Sequence, residues 1–193
     1  MMTLLYPERT AMPLAQPATD LFVGRYRRFA AYNGWANRRL YAAAAQLSDE
    51  QYRADRGAFF GSVHGTLNHL LVADRIWMRR LTGSGEAPAR LDAILFETLD
   101  ALDAARQAED ARIVAFVDGL GPDDLSADLS YRNSAGQAYA QPLASVLDHL
   151  FNHQTHHRGQ VHCLISGLLG NAATPSLDLV QHQREAGIAA PPA

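Results

Sequence analysis

The fold of this chain is decided by one helical stretch, residues 142–169, PLASVLDHLFNHQTHHRGQVHCLISGLL. Pro142 suits a first helical turn, and Gly170 and Asn171 are typical of a helix end. Apolar residues recur at three- and four-residue spacing in between, which predicts a helix that buries one face. The stretch also holds five of the eight histidines of the 193-residue chain. The next question is therefore which of these histidines lie on the buried face of the helix.

Three of these histidines fall on the buried face of the predicted helix. At about 100° per residue, His149, His153 and His157 lie within about 80° of one another, and Gln160 lies among them. His156 lies at the edge, while His162 points away and is expected to face solvent, as is His182. The same face carries the apolar stripe, made of Val146, Leu150, Val161, Leu164 and Leu168.

A second predicted helix, from about Val63 to Leu81, repeats this pattern once, at His69. A buried imidazole needs partners for both ring nitrogens, and leucine and valine offer none. A shared divalent ion solves this, because His153 and His157 at i and i+4 present two nitrogens to one ion and His69 adds a third. Three imidazoles suit zinc or nickel first, and iron or copper also. A position left open would take water or substrate.

Other polar residues are candidates to support this site or to line its pocket. His149 and Gln160 share the histidine face, and we expect His149 to support the site rather than bind the ion. Asn33 and Asn37 interrupt the apolar stripe of a first helix that runs from Thr19 or Asp20 to about Leu47 and includes Phe22. Arg158, about 140° from His153, is expected at the rim.

The spacing along the chain predicts an all-α fold, a four-helix bundle. Ser48 and Gln51 form a capping box that starts a short helical turn. A third long helix is expected from about Asp92 to Leu120. Arg106 and Glu109 interrupt its apolar stripe, and we expect the buried face to pass to neighbouring alanines there. A hairpin or extended loop around NSAG (133–136) precedes the last long helix, and one further turn is expected at LDLVQHQ (177–183). We expect an arm over residues 1–18, one domain over 19–182 and a tail over 183–193.

Composition narrows the classes of partner. The net charge of -3 comes from 17 basic and 20 acidic residues that are interspersed, so neither nucleic acid nor an anionic membrane is an expected partner. Glu8 and Arg9 interrupt the apolar start, and no stretch is long enough to span a bilayer, which predicts a cytoplasmic protein. The single cysteine excludes an internal disulfide and any cysteine-rich metal site.

Several kinds of enzyme are excluded by missing motifs. No glutamate stands three residues before a histidine, as a ferritin-like di-iron bundle requires. Gln154 follows His153 where the zinc proteases with a His-Glu pair need their general base. The chain also has no glycine-rich phosphate loop and no Gly-x-Ser-x-Gly elbow.

The motif HLFNHQTHHRGQV (149–161) resembles the fourth-helix signature of the DinB/YfiT-like family of four-helix-bundle metalloproteins. YNGWANRRL (32–40), GTLNHLLVADRIWMRRL (65–81) and PSLDLVQHQRE (175–185) resemble its other segments, so the likeness extends over most of the chain. The resemblance implies a metal site at His69, His153 and His157, and often a homodimer. Relatives with known roles include S-transferases and a maleylpyruvate isomerase that use mycothiol or bacillithiol.

Three functions remain open on the sequence. The first is a metal-dependent transferase or detoxification enzyme that uses a low-molecular-weight thiol as cosubstrate with a small-molecule acceptor, because a divalent ion lowers the pKa of a bound thiol. The second is a metal-dependent hydrolase, which a carboxylate base would assist. The candidates for that base are Asp74, Glu109 and Asp148. The third is a metal-binding stress protein or dimeric scaffold without enzymatic activity.

Overall fold

The computed structural model describes residues 18–189 and is mostly helical. The predicted N-terminal arm and the last four residues lie outside the described residues, apart from Ala18. Two short 3-10 helices, at Asp123–Ser126 and Asn171–Ala173, connect larger elements. The α-helices are α1 (Ala18–Ala44), α2 (Asp49–Arg53), α3 (Val63–Thr82), α4 (Leu99–Asp118), α5 (Leu143–Leu169) and α6 (Leu179–Glu185), and the strands are β1 (Asp128–Arg132) and β2 (Ala138–Pro142).

The four long helices form the core. Helix α1 packs against α4 and α5, and α3 packs against the same two helices. One apolar cluster is centred on residues such as Leu40, Leu67 and Leu102, and a second on Met78, Ile113 and Leu147. Within residues 18–189, no helix combines the length and apolar character needed to cross a membrane.

Helix α1 differs from its prediction at both ends of the apolar stripe. It ends at Ala44 instead of Leu47, and turns follow it. Phe22 is exposed because Val23 and Tyr26 are the buried residues at that end of the helix. The inward face at this end is therefore centred about 70° from Phe22, between the directions of Tyr26 and Val23.

The predicted starts of the next two helices are confirmed. Ser48 and Gln51 make the capping box of α2, in which each side chain bonds the other residue's backbone N–H. Ser62 caps α3, its side chain accepting from the backbone of Gly65. Gly83 ends α3 with φ 70°, the left-handed conformation that glycine adopts without strain.

Helix α4 begins at Leu99, so the predicted start near Asp92 is wrong. The side chain of Asn68 on α3 binds the segment before it: its Oδ1 accepts from the backbone N–H groups of Leu95 and Phe96, at 2.8 and 3.1 Å. Its Nδ2 donates to the Phe96 carbonyl, which the His64 ring also contacts. These backbone groups are bound by α3 and cannot enter a helix, and Thr98 caps the helix that follows.

The predicted drift of the α4 stripe onto alanines at Arg106 and Glu109 is also wrong. Arg106 is 1% exposed and points into the core. Its Nη1 lies 2.7 Å from Asp74 Oδ2, an ion pair outside hydrogen-bond angles, and its Nη2 lies 3.0 Å from Asp110 Oδ1. A buried cation and two carboxylates therefore replace apolar residues at this level of the core.

The predicted hairpin before the last long helix is confirmed. Strands β1 and β2 are antiparallel, with Asp128 opposite Pro142 and Arg132 opposite Ala138. The turn contains NSAG, and Gly136 takes φ 80° there. Pro142 is the last residue of β2 and directly precedes α5, whose predicted end at Leu169 is confirmed.

Helix α6 packs back onto α1 near the end of the described chain. His182 is buried there, its ring centroid 5.8 Å from that of Tyr32 and 5.5 Å from that of Trp35. The prediction that His182 faces solvent is therefore wrong, because an aromatic pair on α1 covers it. His162 is partly buried, with its Nε2 3.0 Å from the Pro175 carbonyl oxygen.

Candidate metal centre

His69 is held on α3 with one ring nitrogen already bonded. It is 3% exposed, and its Nδ1 lies 2.8 Å from the carbonyl oxygen of Leu91. A carbonyl only accepts, so Nδ1 carries the ring proton in this hydrogen bond. The Nε2 lone pair is then available to a ligand, and the partner on Nδ1 fixes the orientation of the ring.

His153 and His157 stand one turn apart on α5 and face His69. The Nε2 atoms of His153 and His69 are 3.2 Å apart. His157 donates from Nδ1 to Oε1 of Gln160 at 2.8 Å, so its Nε2 is also available. The prediction that Gln160 stands beside the histidines corresponds to this contact, which orients the His157 ring.

The three histidines form a donor set that fits a divalent ion. One nitrogen from each lies within 4.8 Å of the others. Zn–N bonds of about 2.0–2.1 Å in a tetrahedral site separate two nitrogens by about 3.3 Å, close to the 3.2 Å between His69 and His153. The set could therefore hold a metal ion.

Burial keeps these imidazoles in the neutral form that binds metals. Desolvation is the main cause in each case, lowering the pKa of His69 to about 4 and that of His153 to about 3. The neighbouring imidazoles lower the pKa of His153 further, and burial also lowers that of His157. At neutral pH a metal ion therefore does not have to displace protons from these rings.

Phe60 covers one side of the triad, and sequence reasoning missed it. Its ring lies 3.6 Å from the His69 ring between centroids, at 16°, and 5.5 Å from the His157 ring. The only signal was the pair Phe59–Phe60 just before α3, and nothing in the sequence distinguishes the two. The structure does: Phe59 is 82% exposed, whereas Phe60 stacks on a candidate ligand.

A cavity of about 830 Å³ reaches His69 and His153. Aromatic residues and arginines form much of its wall, and within residues 18–189 no Asp or Glu lines it. His157 is absent from the described lining and lies on the Phe60 side of the triad. The lining includes Trp77, Arg79, Arg80, Tyr131, Arg132, Tyr139 and His149.

His149 lies next to the triad without joining it. Its ring centroid is 5.7 Å from that of His153 and 5.1 Å from that of Trp77, and the residue is exposed overall. His156, also exposed, contacts the His157 ring and the Gln160 side chain. The structure thus places His149 in the pocket wall and His156 at the rim.

Asn33 and Asn37 have partners other than the histidines. Both donate to Asp110 Oδ1 at 3.0 Å, and their oxygens accept from Nη1 of Arg158. Arg158 is 2% exposed, so its predicted place at the rim of the histidine pocket is wrong. Instead it lies between α1 and α5, at a separate cavity of about 480 Å³ that the triad does not line.

The carboxylates considered as a hydrolase base lie elsewhere. Asp74 pairs with Arg106 in the core, and Glu109 pairs with Arg112 at 2.9 Å. Asp148 accepts from the hydroxyl of Tyr26 at 3.1 Å. None of these residues lines the cavity that reaches the triad.

Comparisons with known proteins agree with this architecture. The model of the DinB family matches residues 18–187. A relative described as Protein DinB, from Bacillus subtilis (strain 168), is 24% identical over 154 residues, which cover 75% of this chain and 86% of that protein. The crystal structure of a DinB-like protein from Bacillus cereus ATCC 10987 matches 82% of this chain and 90% of its own, with a TM-score of 0.52 and 16% identity. At that identity the structural likeness concerns the fold alone.

Proposed function

This chain belongs to the DinB family, and we propose that it is a metal-dependent enzyme that transfers a low-molecular-weight thiol to a small electrophile. The observation that carries the proposal is a three-imidazole donor set at the end of a cavity without a described carboxylate. When bound there, a divalent ion, zinc or nickel first, would lower the pKa of a thiol and hold it as thiolate. Such a transfer needs no protein carboxylate as base, whereas hydrolysis would be helped by one.

The chain's own residues have definite tasks in this proposal. His69, His153 and His157 would hold the ion, and the Leu91 carbonyl and Gln160 keep two of these rings in the ligating tautomer. Phe60 shields one side of the triad from water through its stacking on His69. The cavity on the other side admits the thiol and its acceptor.

We also propose how the long helices are arranged and how far the domain extends. Helices α1, α3, α4 and α5 would form the four-helix bundle of a single domain over residues 19–182. A homodimer, a cytoplasmic location and a role in detoxification or stress response stay predictions.

The test loads the full chain with cobalt and adds bacillithiol, mycothiol, glutathione or cysteine. At least one thiol should produce a sulfur-to-cobalt charge-transfer band in the near ultraviolet. The same thiol should react with monochlorobimane: its proton goes to solvent, sulfur bonds to carbon, and chloride leaves with its electron pair. His153→Ala should abolish both signals, and His162→Ala, whose ring contacts the Pro175 carbonyl, should keep both.

Two results would contradict the proposal. If no thiol at millimolar concentration changes the cobalt spectrum while a panel of esters and amides is hydrolysed, the protein is a hydrolase. If the protein binds cobalt but neither reaction occurs, the non-enzymatic metal-binding function replaces the proposal.

A further inference from the structure

Three arginines line the cavity that reaches the triad: Arg79, Arg80 and Arg132. Within residues 18–189 no acidic side chain lines the same cavity. The wall is therefore positively charged without a balancing carboxylate of its own. A cavity of about 830 Å³ suits a small molecule, and this charge favours an anionic one.

Arg80 lies against a pair of aromatic rings at this wall, Trp77 and Tyr131, whose centroids are 5.2 Å apart at 66°. Its Cζ lies 4.5 Å from the ring centroid of Trp77 and 4.9 Å from that of Tyr131. These two cation–π contacts restrict where the guanidinium can lie, and its N–H groups form a planar fork that matches a planar anion. Burial lowers the pKa of Arg80, so a bound anion would offset part of the desolvation of its charge.

The other two arginines are each tethered to a backbone carbonyl. Arg79 donates from Nη1 to Gly85 at 3.3 Å, and Arg132 donates from Nη1 to Gly136 at 2.7 Å. Both are exposed, whereas Arg80 is partly buried. Arg80 is therefore the best-placed member of the group to bind an anion in the cavity.

A chain of ring contacts connects Arg80 to the triad. The centroid of the Trp77 ring, which Arg80 contacts, lies 5.1 Å from that of His149, and the His149 centroid lies 5.7 Å from that of His153. Arg80, His69 and His153 also line the same cavity, so one ligand that fills it could contact both Arg80 and the triad.

We infer that the cosubstrate is a thiol that also carries a carboxylate, and that Arg80 binds this carboxylate while the sulfur occupies the triad. The inference rests on the proposed function, because it assigns the two ends of one cavity to two groups of the same molecule. A carboxylate matches a single fixed guanidinium, since both are planar and can form two parallel hydrogen bonds. The inference favours acidic thiols over neutral ones.

The experiment uses the cobalt-loaded full chain and two probes, N-acetylcysteine and N-acetylcysteine amide. The probes carry the same thiol and differ only in a carboxylate or a carboxamide. Dissociation constants come from the charge-transfer band at one fixed pH. Because the carboxylate also changes the acidity of the thiol, the measured quantity is the ratio of the two constants, compared between wild type and variants.

Arg80→Gln should reduce the preference for the acid over the amide roughly tenfold, the effect of losing one charge-assisted contact. Arg28→Gln, which removes the same charge from an exposed position on α1, should leave the ratio unchanged. Arg80→Lys keeps the charge and loses the planar fork, so it should show a smaller drop. If circular dichroism shows that Arg80→Gln does not fold, Arg80→Lys takes its place in the test.

The failures of the two proposals are distinguishable. An unchanged ratio in both Arg80 variants, with both thiols still binding, would overturn the carboxylate site and leave the thiol function standing. The same result is expected if the carboxylate of the probe binds the cobalt ion rather than Arg80. If neither probe changes the cobalt spectrum while a thiol of the first test does, this inference alone fails. If no thiol of either test changes the spectrum, the proposed function fails and this inference fails with it.

Discussion

Arg106→Met should lower the free energy of unfolding by about 3–5 kcal/mol, because it leaves two buried carboxylates without their cation. Arg106 is almost fully buried, 2.7 Å from Asp74 and 3.0 Å from Asp110. Asp110 keeps two amide donors, from Asn33 and Asn37. Asp74 is fully buried beside Arg106 and the uncharged Gln154, so its carboxylate loses most when Arg106 is removed.

The ability of Asp74 to take up a proton limits this loss. Burial already raises its pKa from 3.8 to about 6 even though Arg106 opposes the shift. For a carboxyl with the ordinary pKa of 3.8, protonation costs about 5 kcal/mol at about pH 7.5 and about 2 kcal/mol at about pH 5.5. In Arg106→Met the folded-state pKa rises further, so above about pH 6 the folded variant keeps a proton that folded wild type has released. The deficit relative to wild type should therefore shrink as the pH falls.

Urea unfolding of the metal-free proteins, followed by circular dichroism at both pH values, measures the effect. Asp74→Asn combined with Arg106→Met should recover a large part of the loss, because it removes the unpaired carboxylate. Arg90→Met, which breaks an exposed pair with Asp92, should change stability little. A loss below about 1 kcal/mol in Arg106→Met, or a deficit that grows on acidification, would refute the reasoning.

Two further predictions concern the triad. Tight zinc binding, measured by isothermal titration, should be abolished in each of the variants His69→Ala, His153→Ala and His157→Ala. It should be modestly weaker in His149→Ala and unchanged in His162→Ala. Wild-type affinity in His157→Ala would contradict the ligand set. The metal-free protein should lose stability as the pH falls from about 6.5 towards 4, because burial lowers the pKa of His69 to about 4 and that of His153 to about 3, and the unfolded chain binds more protons in this window. Urea midpoints at pH 7 and 5 measure this loss, and the double variant His69→Gln/His153→Gln should reduce it.

Local signals explain what could be predicted from the sequence. Helix ends follow from short-range chemistry, as at Ser48, Ser62 and Gly83, which act within a few residues of themselves. The convergence of His153 and His157 follows from the spacing on a single helix. His69 could be added because a lone imidazole in an apolar stripe needs a partner that its own helix does not provide.

Long-range contacts explain what could not be predicted. The segment before α4 is held by Asn68, 27 residues away from Leu95 in the chain, and no periodicity reports such a bond. In the sequence, Arg106 interrupts an apolar stripe, and its partner Asp74 lies on another helix, so the ion pair could not be predicted. Phe60 and Arg80 likewise depend on which rings from other elements pack beside them.

Helix α5 connects the candidate metal centre to a buried polar layer, which consists of Asn33, Asn37, Asp74, Arg106, Asp110, Gln154 and Arg158. His153 and His157 face His69, while Gln154 and Arg158, one residue further along, point towards the core. Gln154 donates to the carbonyl of Leu70, the neighbour of His69, and Arg158 bonds Asn33 and Asn37 on α1. Rotating α5 by one residue, about 100°, would break these buried bonds and turn the histidines away from α3. The polar layer thus stabilises the one rotation of α5 that brings His153 Nε2 to 3.2 Å from His69 Nε2.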